Sequence, residues 1–166
     1  KEIISGWKEG WESVQEQANF LIGNVVTHMP TLSDLKNIAP DYLVIVSYGQ
    51  FIPEDIVNYF TCINIHPSLL PKYRGPSPIQ TALLNGDNEA GVTTMIISKE
   101  MDAGDILFQK KIPIDINDDY ISLENKLAAG GADLLIKTLK SDIQAKRIKQ
   151  DEGLASYCKK IKNEDS

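Results

Sequence analysis

Residues 63–71, with the sequence Ile-Asn-Ile-His-Pro-Ser-Leu-Leu-Pro, decide how this chain folds. The two isoleucines alternate with Asn64 and His66, and this alternation predicts a strand over residues 61–66. Pro67 ends the strand because it has no N–H to donate to a neighbouring strand. Side chains two residues apart project from the same face, so an amide and an imidazole stand together at the carboxyl end of the strand. Ligands bind at this edge in open α/β sheets.

The rest of the chain predicts strands and helices in alternation. Residues 41–47 form a mostly apolar run, which predicts a strand buried on both faces, as in a parallel sheet covered by helices. Shorter signals predict strands at 25–27, 91–98 and 106–112, and helices at 13–21, 33–37, 53–59, 78–85 and 119–141. An irregular segment is expected over residues 1–12, and a charged, mobile or extended tail beyond Asp142. The pattern predicts an α/β fold: an open, mostly parallel twisted sheet with flanking helices.

Composition and charge narrow the classes of protein. With 166 residues, 42% of them hydrophobic and 24% charged, the chain has the make-up of one soluble globular domain. No apolar run approaches the roughly 18–20 residues of a membrane span, and the first six residues lack the apolar core of a secretion signal. The formal charge of −6 argues against general binding of nucleic acid, which needs lysine and arginine to neutralise phosphates.

Cysteine and histidine content argues against a metal centre. Cys62 and Cys158 lie far apart and outside any metal-ligand spacing, and the sequence has two histidines, His28 and His66. A zinc hydrolase would therefore need carboxylates for most of its ligands. We expect no metal, no membrane association, a monomer, and the reducing environment of the cytoplasm.

A wider pattern around residues 63–71 is typical of one family. The motif Asn-x-His at residues 64–66 is followed by Arg-Gly at 74–75, by Gly-Val-Thr at 91–93 and, 36 positions after the histidine, by Asp102 in a Met-Asp-Ala-Gly-Asp loop. From about residue 13 to residue 165, the chain resembles the folate-dependent formyltransferase family. The resemblance implies a Rossmann-like formyltransferase fold and 10-formyltetrahydrofolate as the co-substrate that donates the formyl group.

Formyl transfer to an amine is acyl transfer, and three side chains suit its steps. An amide N–H can stabilise the charge that develops on the formyl oxygen, which suits Asn64. His66 suits proton transfer from the attacking amine to the leaving nitrogen, because imidazole exchanges protons near neutral pH. A carboxylate can orient that imidazole. Spacing leaves Asp102 and Asp105 as alternatives for this role, and the resemblance implies Asp102.

The resemblance also implies a folate pocket built from three loops. One loop is residues 98–102, and the other two supply these candidates: Tyr48, Gly49, Gln50, Phe51 and Ile52 after the 41–47 strand, and Ser68, Leu69, Leu70 and Pro71 after the 61–66 strand. Backbone polar groups in such loops can read the pterin edge, while apolar side chains form the walls. Residues 72–74 (Lys-Tyr-Arg) lie beside them, and the sequence leaves open whether they contact the folate tail, an RNA phosphate or solvent alone.

Within the family, the run from Gln150 to Asp165 favours members that formylate the α-amino group of methionyl initiator tRNA, a step of translation initiation. The alternatives are a glycinamide ribonucleotide or amino-sugar formyltransferase, a formyl-folate hydrolase, and a folate-binding fragment without turnover. Such members open with a further strand and end in a smaller β domain that helps to hold tRNA. We therefore expect residues 1–142 to be a catalytic domain that is incomplete at its N-terminus. We expect residues 143–166 to be a charged linker toward an absent domain, with tRNA contacts mainly outside these residues.

Overall fold

A computed structural model of the chain describes residues 28–161 in full and the strands at residues 2–5 and 24–26. The strands are β1 (Glu2–Ser5), β2 (Asn24–Val26), β3 (Leu43–Val46), β4 (Cys62–His66), β5 (Glu89–Ile96) and β6 (Ile106–Pro113). The helices are α1 (Leu32–Ile38), α2 (Glu54–Tyr59), α3 (Pro78–Leu84) and α4 (Tyr120–Leu139), and 3₁₀ turns follow at Gln144–Lys146 and Glu152–Leu154. Strands and helices alternate as the sequence predicts.

In the described part of the chain, these strands form one six-stranded sheet in the order β2-β1-β3-β4-β5-β6. The pairs β1–β2, β1–β3 and β3–β4 are parallel. The pairs β4–β5 and β5–β6 at the other edge are antiparallel. The predicted α/β class, an open and mostly parallel sheet with flanking helices, is confirmed.

Both faces of the sheet are covered, because β3 is buried along its whole length. Val44 and Val46 join a core that includes Leu123, Leu127 and other apolar residues of α4. Leu43 and Ile45 alternate with them and pack on the opposite face with buried side chains of α1, α2 and β4: Leu35, Ile56 and Cys62. This period of two is what a central strand between two layers requires.

Helix α4 is the longest described helix, and it packs against β5 and β6. It begins after Asp119, whose side chain accepts from the Ser122 N–H while the Ser122 hydroxyl accepts from the Asp119 N–H, a reciprocal cap. Gly130 lets the helix approach the sheet closely, because a Cβ there would stand 2.7 Å from Ile112. None of the helices in the described ranges is long and apolar enough to cross a membrane.

The N-terminal prediction needs a correction. The sequence predicts an irregular segment over residues 1–12, with no strand ahead of the matched region, yet Glu2–Ser5 forms β1 and pairs with both β2 and β3. Four residues are too few to show a periodic pattern, and pairing on two edges supplies the order that local sequence does not indicate. The helix predicted at residues 13–21 lies outside the described residues.

The segment after α4 is the second correction. Its composition predicts a mobile or extended tail, but Ile143 is buried against Ile63 and Leu107. Ile148 then forms a β-bridge with Ile106, and Tyr157 forms another with Arg74. The segment is mostly exposed, but Ile143 and the bridge at Ile148 attach it to the sheet, and Ser156 and Cys158 attach it to the loop after β4. The division into a catalytic domain and a linker near residue 142 stays a prediction.

Candidate active site

A cavity of about 370 Å³ opens beside the carboxyl ends of β3 and β4. Three segments that lie far apart in sequence line it: residues 47–52 after β3, residues 64–67 at the end of β4, and residues 97–102 between β5 and β6. Helices α3 and α4 close another part of the wall with Pro78, Ile79, Gln80, Tyr120 and Glu124. The predicted ligand-binding edge of the sheet therefore carries a cavity.

Asn64 and His66 both line this cavity, as strand periodicity requires for residues two apart. In the sheet they face Met95 and Thr93 of β5, respectively. His66 is 4% exposed, whereas Asn64 is half-buried. The amide and the imidazole therefore stand side by side, with Asn64 paired to both β3 and β5 and His66 paired to β5.

A hydrogen bond to the backbone determines which ring nitrogen of His66 carries the proton. Its Nε2 lies 2.9 Å from the carbonyl oxygen of Tyr73. A carbonyl can only accept, so Nε2 carries the hydrogen and donates it. In the neutral ring, Nδ1 therefore keeps its lone pair, and it lies 3.7 Å from Oδ2 of Asp102. Nδ1 is thus the atom that can take up a proton, and the Asp102 carboxylate can stabilise the imidazolium that results.

Asp102 is held in this orientation by its backbone and by a neighbour. Its φ is 52°, in the left-handed region, and its Oδ2 accepts a hydrogen bond of 2.8 Å from the Gly75 N–H. Asp105 uses its main-chain carbonyl to accept from the Ile96 N–H and is not among the described cavity-lining residues. Of the two aspartates that spacing left open, the structure brings Asp102 to the imidazole.

Sequence reasoning missed three groups that support these side chains: the Tyr73 carbonyl, the Gly75 N–H and the side chain of Gln150. Gln150 donates 2.8 Å hydrogen bonds from Nε2 to the carbonyl oxygens of Asp102 and Gly104. A positive φ of 117° at Gly75 explains why glycine stands there. The glycine of the Arg-Gly motif could have indicated this turn. Nothing in the sequence around Gln150 indicates that its side chain reaches the Asp102 loop.

The loop after β3 lines the cavity along its whole predicted length: Tyr48, Gly49, Gln50, Phe51 and Ile52. Residues 98–102 line it as well. Phe51 is 77% exposed and Met101 is 51% exposed, so apolar surface is available in this part of the cavity. Two of the three loops expected to form the folate pocket therefore face a common space.

The third loop expected to bind folate carries Ser68, Leu69, Leu70 and Pro71. In the described structure, none of the four lines the cavity. The Ser68 hydroxyl donates to the Lys72 carbonyl, and the Ser68 carbonyl accepts from Thr93. Leu70 packs in a small core with Met95 and Ile106. Ser68 and Leu70 therefore stabilise the turn after β4, and a contact of residues 68–71 with folate stays a prediction.

Residues 72–74, whose role the sequence left open, are tied into the fold. Lys72 and the Tyr73 hydroxyl both reach Asp87 Oδ2, at 2.7 and 2.9 Å. Arg74 is 1% exposed, and its guanidinium pairs with Glu152 at 2.7 Å. That buried arginine cannot contact an RNA phosphate or a folate tail in this arrangement.

The opposite wall contains a hydrogen-bonded pair, a buried glutamate and a half-buried tyrosine, that the sequence did not indicate. Glu124 is 8% exposed and accepts a 2.7 Å hydrogen bond from the Tyr120 hydroxyl. Burial, together with this hydrogen bond, raises the pKa of Tyr120 above its usual value. A single glutamate within a helical sequence matches no motif, so the sequence does not indicate that Glu124 lies at the cavity, and only the fold brings it there. No cluster of three or more potential metal ligands occurs among residues 28–161.

Comparison with known proteins decides the family. The profile described as formyl transferase matches residues 24–139, well over half of the chain. The chain belongs to the formyl transferase family. The matched range ends with α4 and includes β4, the Asp102 loop and the cavity between them. The family resemblance drawn from Asn64, His66 and Asp102 is therefore confirmed.

Relatives in this family share much of the sequence. The methionyl-tRNA formyltransferase of a Nitratiruptor species is 47% identical over 131 residues, which cover 79% of this chain and 43% of that protein. The enzyme of the same name from Helicobacter pylori is 43% identical over 139 residues, covering 82% of this chain and 45% of that protein. The chain thus spans about half the length of these relatives.

Solved structures share the fold of this chain. Methionyl-tRNA formyltransferase from Clostridium thermocellum matches with a TM-score of 0.77 and 23% identity, over 98% of this chain and 73% of that chain. HypX from Aquifex aeolicus in complex with tetrahydrofolic acid matches with a TM-score of 0.83 and 20% identity, over 99% of this chain and 30% of that chain. The Rossmann-like formyltransferase fold is confirmed.

Proposed function

We propose that this protein transfers the formyl group of 10-formyltetrahydrofolate to the α-amino group of methionyl initiator tRNA. The observation that carries the proposal is the pair formed by His66 Nδ1 and Asp102 Oδ2, 3.7 Å apart, with Asn64 beside it on the cavity wall. Relatives named methionyl-tRNA formyltransferase at 42–47% identity support the choice of acceptor.

His66 and Asn64 have complementary tasks in the proposed reaction. The neutral amine attacks the formyl carbon, a new C–N bond forms, and the formyl oxygen gains negative charge, to which the Asn64 amide donates. His66 Nδ1 accepts the proton that the attacking amine loses, and Asp102 stabilises the imidazolium. His66 then returns the proton to N10 of the folate as the C–N10 bond breaks, so that the enzyme ends in its starting protonation state.

The open part of the cavity supports folate as the donor. Loops such as 47–52 and 98–102 present main-chain N–H and C=O groups, which suit the edge of a pterin, and Phe51 and Met101 present apolar surface for its ring. We place the folate against these two loops, and a further contact with residues 68–71 remains a prediction. No metal has a part in the proposed reaction.

The tRNA is proposed as a partner with few contacts to these residues. A formal charge of −6 gives the chain little to offer a phosphate backbone, and Arg74 is occupied by Glu152. A monomeric state, a cytoplasmic location and a catalytic domain ending near residue 142 remain predictions.

The test supplies 10-formyltetrahydrofolate to the natural protein that carries residues 1–166, with three acceptors in parallel: methionyl initiator tRNA, glycinamide ribonucleotide and water. We expect formyl transfer to methionyl-tRNA and little release of formate. Transfer to glycinamide ribonucleotide, or to an amino sugar added as a fourth acceptor, would overturn the tRNA assignment. Formate release alone would indicate a hydrolase, and folate retention without turnover would indicate a binding module.

A further inference from the structure

Gln150 connects the C-terminal segment to the loop that carries Asp102. Its Nε2 donates two hydrogen bonds of 2.8 Å, to the carbonyl oxygens of Asp102 and Gly104. Its Oε1 accepts a 2.9 Å hydrogen bond from Nε of Arg74. Both N–H donors of the amide and its oxygen are therefore used, and all three partners lie 46 or more residues away in sequence.

Arg74 fixes the orientation of that amide. The guanidinium is 1% exposed and makes a two-pronged contact with Glu152, from Nη1 at 2.9 Å and from Nη2 at 2.7 Å. This hydrogen bonding raises the pKa of Arg74 and lowers the pKa of Glu152. Because Arg74 has no acceptor, only the oxygen of the Gln150 amide can face it, and the NH₂ group must face the Asp102 loop.

The same C-terminal segment holds the backbone that supports His66. The Arg74 N–H donates to the Ser156 carbonyl and the Cys158 N–H donates to the Arg74 carbonyl, each at 2.8 Å. The Ser156 hydroxyl accepts a 2.9 Å hydrogen bond from the Tyr73 N–H. The Tyr73 carbonyl in turn holds the imidazole, and the Gly75 N–H holds the Asp102 carboxylate.

The Asp102 loop needs such support because its conformation is unfavourable by itself. A left-handed φ at a residue other than glycine costs about 1 kcal/mol or more, and Asp102 has a φ of 52°. Gly104 has no room to move inward, because a Cβ there would collide with the Ile96 carbonyl. Two hydrogen bonds from one amide, to the carbonyl of this strained residue and to that of Gly104, offset that cost.

We propose that Gln150 is a positioning residue for formyl transfer. By holding the carbonyls of Asp102 and Gly104, it keeps the Asp102 carboxylate turned toward Nδ1 of His66. The proposal rests on the proposed function, since the consequence of losing the contact is a slower transfer step. It gives residues 149–158 a part in catalysis, where the sequence had suggested only a connection between domains.

Gln150→Glu tests the proposal with little change in shape. A carboxylate still accepts from Arg74, but it cannot donate, so both contacts to the Asp102 loop are lost while the arginine stays paired. Gln144→Glu is the matched control, because it introduces the same negative charge at an exposed position, on a 3₁₀ turn of the same segment. Both variants are assayed in the natural protein.

For Gln150→Glu, we expect kcat to fall about tenfold to a hundredfold, since small displacements of catalytic groups carry penalties of this size. We expect KM for the formyl folate to rise by much less than kcat falls, because residues 98–102 form only one of the walls proposed for the folate and residues 47–52 are untouched. Amide hydrogen exchange should become faster in residues 99–105, with Tm and exchange elsewhere unchanged. Gln144→Glu should match the wild type in every measurement.

Two outcomes would overturn the proposal. In one, Gln150→Glu keeps the wild-type kcat, or residues 99–105 exchange at the wild-type rate. In the other, kcat, KM, Tm and exchange across the sheet all worsen together, which would make Gln150 a structural residue only. If the wild type transfers formyl to no acceptor, the proposed function fails, and the exchange of residues 99–105 still decides whether Gln150 holds the loop.

Discussion

The two sides of the cavity are built differently. The anchored side consists of His66, residues 73–75, Asp102 and Gln150, whose polar atoms hydrogen-bond one another across the fold. The open side consists of residues 48–52 and 98–101, where Phe51 is 77% exposed and Met101 is 51% exposed. Groups that handle protons are thus fixed before the substrate arrives, as electrostatic preorganisation requires. Apolar surface on the open side is left for a ligand to cover.

Breaking the anchored side at its centre should have the largest effect. His66→Ala removes the proton acceptor, and we expect kcat to fall about 10²–10⁴-fold, the usual contribution of a general base. The affinity for tetrahydrofolate should stay near the wild-type value, because the open side is untouched. Steady-state kinetics and equilibrium folate binding check the two halves of this prediction.

A milder variant guards against misfolding in that experiment, since His66→Ala leaves the Tyr73 carbonyl unpaired at a cost of about 1–3 kcal/mol. Asp102→Asn keeps an oxygen to accept from the Gly75 N–H and removes only the charge that faces Nδ1. It too should lower kcat and leave folate affinity and Tm unchanged. Parallel losses of kcat and folate affinity in both variants would make this pair structural.

Asn64 tests whether an amide donor next to the anchored side matters for the transition state. Asn64→Ala should lower kcat about 10²–10³-fold, the typical loss when one donor to a developing oxyanion is removed. Asn58→Ala is the matched control, because Asn58 is exposed on α2 and lies outside the described cavity wall. A fall in kcat of less than about threefold for Asn64→Ala would remove Asn64 from the transition state.

A substitution on the open side should weaken folate binding and leave the rate of the chemical step unchanged. Phe51→Ala removes an aromatic wall, and we expect KM for the formyl folate to rise about tenfold, as the loss of roughly 1–2 kcal/mol of apolar contact implies. The kcat value should change little. Calorimetric titration with tetrahydrofolate measures the same loss without turnover.

Ile116→Ala provides the comparison for that variant, since Ile116 is 98% exposed and lies outside the cavity lining in the described structure. It should bind folate as the wild type does. If Phe51→Ala also binds folate normally while kcat falls, the open side takes part in catalysis and the contrast between the two sides is wrong.

Sequence periodicity predicted most of the fold, because β3, β4 and α4 carry apolar patterns long enough to be recognised. It failed at Glu2–Ser5, a strand of four residues whose order comes from its two neighbours in the sheet. It also failed after α4, where Ile143 is buried within a charged run that reads as exposed.

The site was predictable where side chains carry the chemistry. Strand alternation placed Asn64 beside His66, and the family pattern indicated Asp102. The supports were not predictable, because the Tyr73 carbonyl and the Gly75 N–H are backbone groups and Gln150 lies 48 residues from Asp102. Leu70 packs with Met95 and Ile106, and its predicted folate contact stays open, since an apolar residue next to a site and one in the core look alike in sequence.

Acid should loosen the anchored side slightly and leave the open side unchanged. The hydrogen bond from Arg74 lowers the pKa of Glu152 from its usual 4.5, so the pair stabilises the fold above that pH and less as the pH falls through the lowered pKa. Glu152→Gln should therefore lower Tm at neutral pH, and the difference from wild type should shrink below about pH 4.5. The effect is small, because the Glu152 side chain is 67% exposed and water screens it.

Glu54→Gln is the open-side counterpart: its 3.7 Å pair with Lys99 is exposed at both ends, so Tm should stay at the wild-type value at every pH. A Tm difference for Glu152→Gln that stays constant from pH 7 to pH 3 would show that the carboxylate charge does not hold Arg74, and that shape alone anchors this side.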